Sequence, residues 1–160
     1  MDLIDYAEQQ GLANFQWQQR VNETTRQESN LTLGFLFTGG AACIAWALSQ
    51  LTSSSPHWPL AIAVIITSLW LFALAAAVQF KCLAFKPALP PANHPLNLYK
   101  PEFDTLGIRE INLHHMEDAI LYAIRNGQKK AKALVKIRFA ACATPLVFLA
   151  AWYLAALRCG

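Results

Sequence analysis

Charge is scarce in this chain, and scarcest where it is most informative. Asp, Glu, Lys and Arg together make up 14% of the 160 residues, against roughly a quarter in an ordinary soluble domain. Residues 31–51, 58–80 and 139–157 contain no Asp, Glu, Lys, Arg or His at all. A helix rises ~1.5 Å per residue, so runs of about 19–23 residues match a bilayer's ~30 Å hydrocarbon layer. Too few polar residues remain to build a second large soluble core. The fold class is therefore all-α: an integral membrane protein with three transmembrane helices plus cytosolic helical segments. Its expected parts are a cytosolic N-terminal helix over 1–30, a two-span hairpin over 31–80, a cytosolic linker with a basic amphipathic helix over 81–138, and a third span within 139–160.

Other absences narrow the function. No carboxylate, Lys, Arg or His lies inside the three runs, which argues against a proton relay, ion-coupled transport or voltage sensing. There is no GxSxG, P-loop, HExxH or paired-carboxylate arrangement, so no catalytic residue and no enzyme activity is expected. Cys43, Cys82, Cys142 and Cys159 form neither a CxxC nor a Cys/His cluster and read as small apolar packing residues, with disulfide or metal roles as the alternative. No metal and no cofactor is expected. The first 30 residues carry Asp2, Asp5, Glu8, Glu23 and Glu28, unlike the basic start of a secretory signal, so the first run is expected to be a retained anchor. Asp2 stands where myristoylation needs glycine.

The cations that are present set an orientation. The connection over 52–57 has no Lys or Arg, whereas that over 81–138 holds Lys81, Lys86, Lys100, Arg109, Arg125, Lys129, Lys130, Lys132, Lys136 and Arg138. Positive loops stay inside, so the N-terminus and the long connection are expected in the cytoplasm and the C-terminus in the periplasm of a bacterial inner membrane, with Arg158 opposing the rule. Trp46, Trp58, Trp152 and Tyr153 lie toward the expected outer ends, where amphipathic rings favour the headgroup boundary.

Within the spans, Gly39, Cys43 and Ala47 recur every four residues, as do Ala41, Ala45 and Ser49. Small residues let helices approach closely in lipid, so Gly39, Cys43 and Ala47 are candidates for a homo-oligomer seam; packing against the chain's own spans is the alternative. Thr144-Pro145 predicts a kink in the third span, since proline removes a donor and clashes with the preceding turn, and Pro145 is a candidate hinge.

The polar parts read as helical. Leu3, Tyr6, Ala7, Gln10, Ala13 and Trp17 recur at helical spacing and give one apolar edge in a glutamine-rich segment that Gly11 weakens. That segment has three candidate uses: packing on the long connection, lying on the membrane, or binding a partner. Pro87, Pro90, Pro91, Pro95 and Pro101 predict an extended linker. Met116, Ala119, Ile120, Ala123, Ile124, Ala131, Leu134 and Val135 predict an apolar stripe, with Asn126-Gly127 as a break or stop. Lys129, Lys130, Lys132 and Lys136 read as a stop-transfer anchor or as a contact for a cytosolic protein or nucleotide. No aromatics interleave with them, so nucleic acid is not expected as a partner. On a helix His114 shares a face with Glu117 and Asp118 while His115 points about 100° away, a pattern that fits a helix surface better than a metal site.

The order of parts resembles the Pycsar membrane effector family of bacterial anti-phage systems: polar N-terminal helix, two close spans, cytosolic helical segment, last span. The matching stretches are 23–51, entering the first span, and 116–157, a basic helix running into the last. Arg26-Gln27-Glu28-Ser29-Asn30 loosely match that family's charged stretch before the first span. The resemblance implies a protein that is quiet until triggered, then assembles and breaches the inner membrane. Its partners would be the lipid bilayer, further copies of itself, and a cytosolic protein or nucleotide trigger. Two other readings stand beside it: an accessory subunit of a larger membrane assembly such as a secretion or conjugation machine, and a membrane immunity protein against a pore-forming toxin.

Overall fold

The computed structural model describes residues 3–53, 57–84 and 105–159. Every regular element among them is a helix: α1 (Leu3–Leu51), α2 (Trp58–Val78) extended by a π-helical turn (Gln79–Leu83), α3 (Thr105–Cys142) and α4 (Thr144–Cys159). The proline-rich linker and residues 54–56 lie outside the described residues. Two helices, Leu3–Leu51 and Trp58–Leu83, are long and apolar enough to cross a membrane. The bent pair formed by α3 and α4 adds a third candidate if it is counted as one span.

Local chemistry explains the helix ends. Asp5 in the first turn of α1 complements the positive end of the helix dipole. At the other end Ser53 donates its amide to the Gln50 carbonyl at 3.3 Å, tightening the last turn. Pro59 opens α2 in its first turn, where a missing N–H costs nothing because no carbonyl precedes it. The α3–α4 break falls at Ala143, and the two helices meet at 42°. In an unbroken helix the amide of residue 145 would bond the Ala141 carbonyl; proline has none, and the Thr144 hydroxyl donates there instead, at 2.6 Å. The amides of Leu146 and Val147 both turn to the Ala143 carbonyl and restart the helix. The third apolar run is thus broken at Ala143 rather than a single straight helix.

Two expected weak points do not interrupt their helices. α1 passes through Gly11 and through the step from polar to apolar sequence at 30/31. α3 passes through Asn126-Gly127, which is neither break nor stop. No described glycine has a positive φ, so Gly127 serves by lacking a side chain, not by bending the chain.

The chain divides into two compact units. The polar unit contains residues 3–25 of α1 and 105–130 of α3. The apolar unit contains residues 26–51 of α1, α2 with its π turn, 131–142 of α3, and α4. Its core gathers Leu36, Leu74, Val78, Cys82, Leu134 and Ile137. α2 packs against α4, and Ala151 and Ala155, one turn apart on α4, are both buried, the small-residue spacing that permits close approach. Phe35, Leu69, Phe139 and Leu146 are among many large apolar side chains left on its outside.

Candidate functional site

In the polar unit α1 and α3 run parallel: Asp5 and Glu8 meet Arg109, Gly11 meets Met116, and Asn22 meets Gly127. The covered row on α1 is Ile4, Glu8, Gly11, Phe15, Gln18, Asn22 and Thr25. Its steps of four and three are the heptad spacing of paired helices. α3 answers with Arg109, Asn112, Met116, Ala119 and Ala123 at the same spacing. This row is distinct from the apolar edge of the sequence, for which packing on the long connection is one of three candidate uses. Ala7 is half-buried, but Leu3, Tyr6, Ala13 and Trp17 face outward. The inward row is the one that carries Glu8, with Asp5 beside it, for Arg109 and the glycine that admits Met116.

Arg109 is the electrostatic centre of this unit. Its Nε and Nη2 donate to the two Glu8 oxygens at 2.8 and 2.9 Å, and Nη2 also donates to Asp5 at 2.6 Å. Such a fork is the strong form of a charged hydrogen bond. The Arg109 hydrogen bond holds the Glu8 carboxyl below its ordinary value, and the two carboxylates raise the Arg109 guanidinium.

Beside the seam an open groove of about 590 Å³ is lined by Gln10, Asn14, Glu110, Leu113, His114 and Glu117, among others. His114 and Glu117 therefore share one surface, as the helical spacing predicts, while Asp118 is not part of the lining. No group of three or more potential metal ligands exists among the described residues.

The proposed seam residues lie in the apolar unit. A methyl group at Gly39 would sit 3.7 Å from Leu71 of α2, Cys43 is half-buried, and Ala47 is 1% exposed. This row therefore packs, at least in part, against the chain's own helices. Next to it Ser68, fully buried, donates its hydroxyl to the Gly40 carbonyl at 2.8 Å. A Cβ at Gly40 would lie 3.2 Å from the Phe72 ring. Phe72 meets Phe37 edge-to-face at 5.3 Å. The second row, Ala41, Ala45 and Ser49, is exposed.

Lys129, Lys132 and Lys136 are exposed and Lys130 is half-buried; Lys129 and Lys130 belong to the polar unit and Lys132 and Lys136 to the apolar one. Arg138, read in sequence as one more basic residue, instead ties α3 to α1. It donates to Glu28 at 2.9 Å and to the Thr32 hydroxyl at 3.2 Å. Sequence reasoning missed this knot, the Arg109 fork and the Ser68–Gly40 bond, since each joins residues far apart in the chain. No disulfide joins Cys43, Cys82 or Cys142. Pro145 stands two residues past the break at Ala143.

No protein-family model, curated protein or solved structure matches this chain.

Proposed function

We propose that this chain is a small non-enzymatic protein of the bacterial inner membrane that crosses the bilayer three times, with its N-terminus and polar unit in the cytoplasm. It self-assembles and breaches the membrane as an effector of an anti-phage or prophage module. A protein or nucleotide trigger acts on the cytosolic helices. The observation that carries this reading is that α1 and α3, each unbroken, contribute residues to both the polar and the apolar unit. A trigger held by the polar unit therefore acts on the same two helices that line the apolar core. The wide apolar exterior of the second unit supports burial in lipid, since patches of this extent are rare on soluble monomers.

Inducible expression in bacteria with a membrane-potential dye tests the proposal. Rapid depolarisation is expected, alone or only beside the neighbouring genes. Normal potential under every such condition overturns it. Stable co-purification with large partners and no toxicity would then assign an accessory subunit. Protection from one toxin with no other phenotype would assign an immunity protein.

A further inference from the structure

The apolar unit carries an open groove of about 570 Å³ between α1 and α2. Gly34 and Phe37 wall it on one helix, Phe72 and Ala76 on the other, and the carboxamides of Asn30 and Gln79 form its polar rim. Mostly apolar walls with a few polar groups that fix orientation are the make-up of a small-molecule site. A Cβ at Gly34 would meet nothing within 4 Å, whereas Gly39 and Gly40 are met by Leu71 and Phe72. The space at Gly34 is therefore left open rather than used for close packing. The two helices run antiparallel, since Ser68 bonds Gly40 while Gln79 and Asn30 line the same groove. Asn30, seven residues before Phe37, and Gln79, seven after Phe72, thus stand together about 10 Å from the ring pair. That is where the uncharged runs 31–51 and 58–80 end. Neither carboxamide has a side-chain hydrogen bond among the described residues. Arg26 is exposed one turn before Asn30 on the same face of α1. Its guanidinium has five donors, so the partner it already has leaves others for a ligand.

We propose that this groove binds one phospholipid of the cytoplasmic leaflet, with an acyl chain against Gly34 and Ala76, ester oxygens at Asn30 and Gln79, and the phosphate toward Arg26. The inference rests on the membrane-spanning reading above and names a ligand that reading does not include. Along the groove the chemistry runs from apolar walls to amide donors to a cation, the order of chain, ester and phosphate in the lipid. Carboxamide N–H groups donate to ester carbonyls, and a guanidinium suits a phosphate diester. At the boundary of the hydrocarbon layer an amide without a partner costs free energy, and the lipid supplies one. The charge is complementary too, because the cytoplasmic leaflet is anionic. A water-soluble ligand fits less well, since the walls are apolar and the groove opens on the exterior that also carries Phe35.

The test uses the full-length protein, extracted from bacterial membranes in mild detergent, supplied with phosphatidylglycerol and weighed by native mass spectrometry. Wild type should retain one phospholipid per chain. Gly34→Leu fills the groove from a position where the new side chain meets open space, and should lower the retained fraction at least about tenfold with helicity unchanged. Asn30→Leu combined with Gln79→Leu keeps the walls and removes the rim, and should lower retention several-fold, as should Arg26→Gln. Ala150→Leu, exposed and outside the groove's lining, should leave it unchanged. Equal retention by Gly34→Leu and wild type, or none by wild type, overturns the proposal. Loss of self-association from Gly34→Leu with lipid retention intact also overturns it and assigns the face to a second copy. An alkaline carbonate wash of the membranes separates the two readings. A chain released by the wash does not span the bilayer, and the lipid falls with that reading; a chain that stays but fails the lipid test loses the groove alone.

Discussion

A methyl group added at Gly11 would point at the thioether end of Met116, 2.7 Å from its terminal carbon, whereas one at Gly127 would collide with the carboxamide of Asn22. Methionine is unbranched and swings aside at little cost; the Asn22 side chain is short and has fewer places to go. Gly11→Ala should therefore raise stability by up to about 1 kcal/mol through helix propensity. Gly127→Ala should gain none of this, and Gly127→Leu should lose about 1–3 kcal/mol through overpacking. Thermal unfolding of the full chain in detergent micelles ranks the three, and an equal gain from both alanines would remove the steric role of Gly127. In sequence Asn-Gly reads as a turn because glycine so often supplies positive φ. Here the same residue type serves close helix approach, and nothing in the local sequence separates the two uses.

The bend between α3 and α4 is the feature of an element most open to direct measurement. Pro145 removes the donor for the Ala141 carbonyl, and Thr144 replaces it. Pro145→Ala restores the backbone donor, so the angle should fall from 42° to below about 20°, the range of ordinary helix curvature. Distances between spin labels on α3 and α4 report this, and an unchanged angle would place the cause of the bend in packing. The sequence made much of the element level legible: the helices themselves, the three uncharged runs and the disturbance near Pro145. It did not reveal which face of α1 turns inward. The rows through Leu3, Tyr6 and Trp17 and through Gly11, Phe15 and Asn22 both have helical spacing, and the more apolar of the two lies outside. Hydrophobicity alone does not choose between them there, because charge pairing and close approach decide. The Arg109 fork and the Arg138 knot were illegible for another reason, since each joins partners about a hundred residues apart and leaves no short-range pattern.

At the scale of the whole molecule the two units are held by different forces, so they should respond differently to acid. The apolar unit has an aliphatic core; the polar unit depends on the Arg109 fork. The folded Glu8 carboxyl lies below its ordinary value of 4.5. Its contribution is therefore complete at neutral pH, begins to weaken as the pH falls past that value, and is lost below the lowered folded value. Hydrogen exchange at stepped pH should show residues 3–25 and 105–130 opening before α2, and Glu8→Gln should shift the polar unit's opening toward neutral pH. Simultaneous opening of both units would contradict this. The same fork also bears on how the protein is made. Glu8 and Arg109 are separated by 101 positions, and a ribosome adding about 5–20 residues per second needs roughly 5–20 s to cover that interval. Through those seconds a newborn α1 has no α3 to pair with, so the polar unit closes only after residues 105–130 have been made, later than the α1–α2 part of the apolar unit.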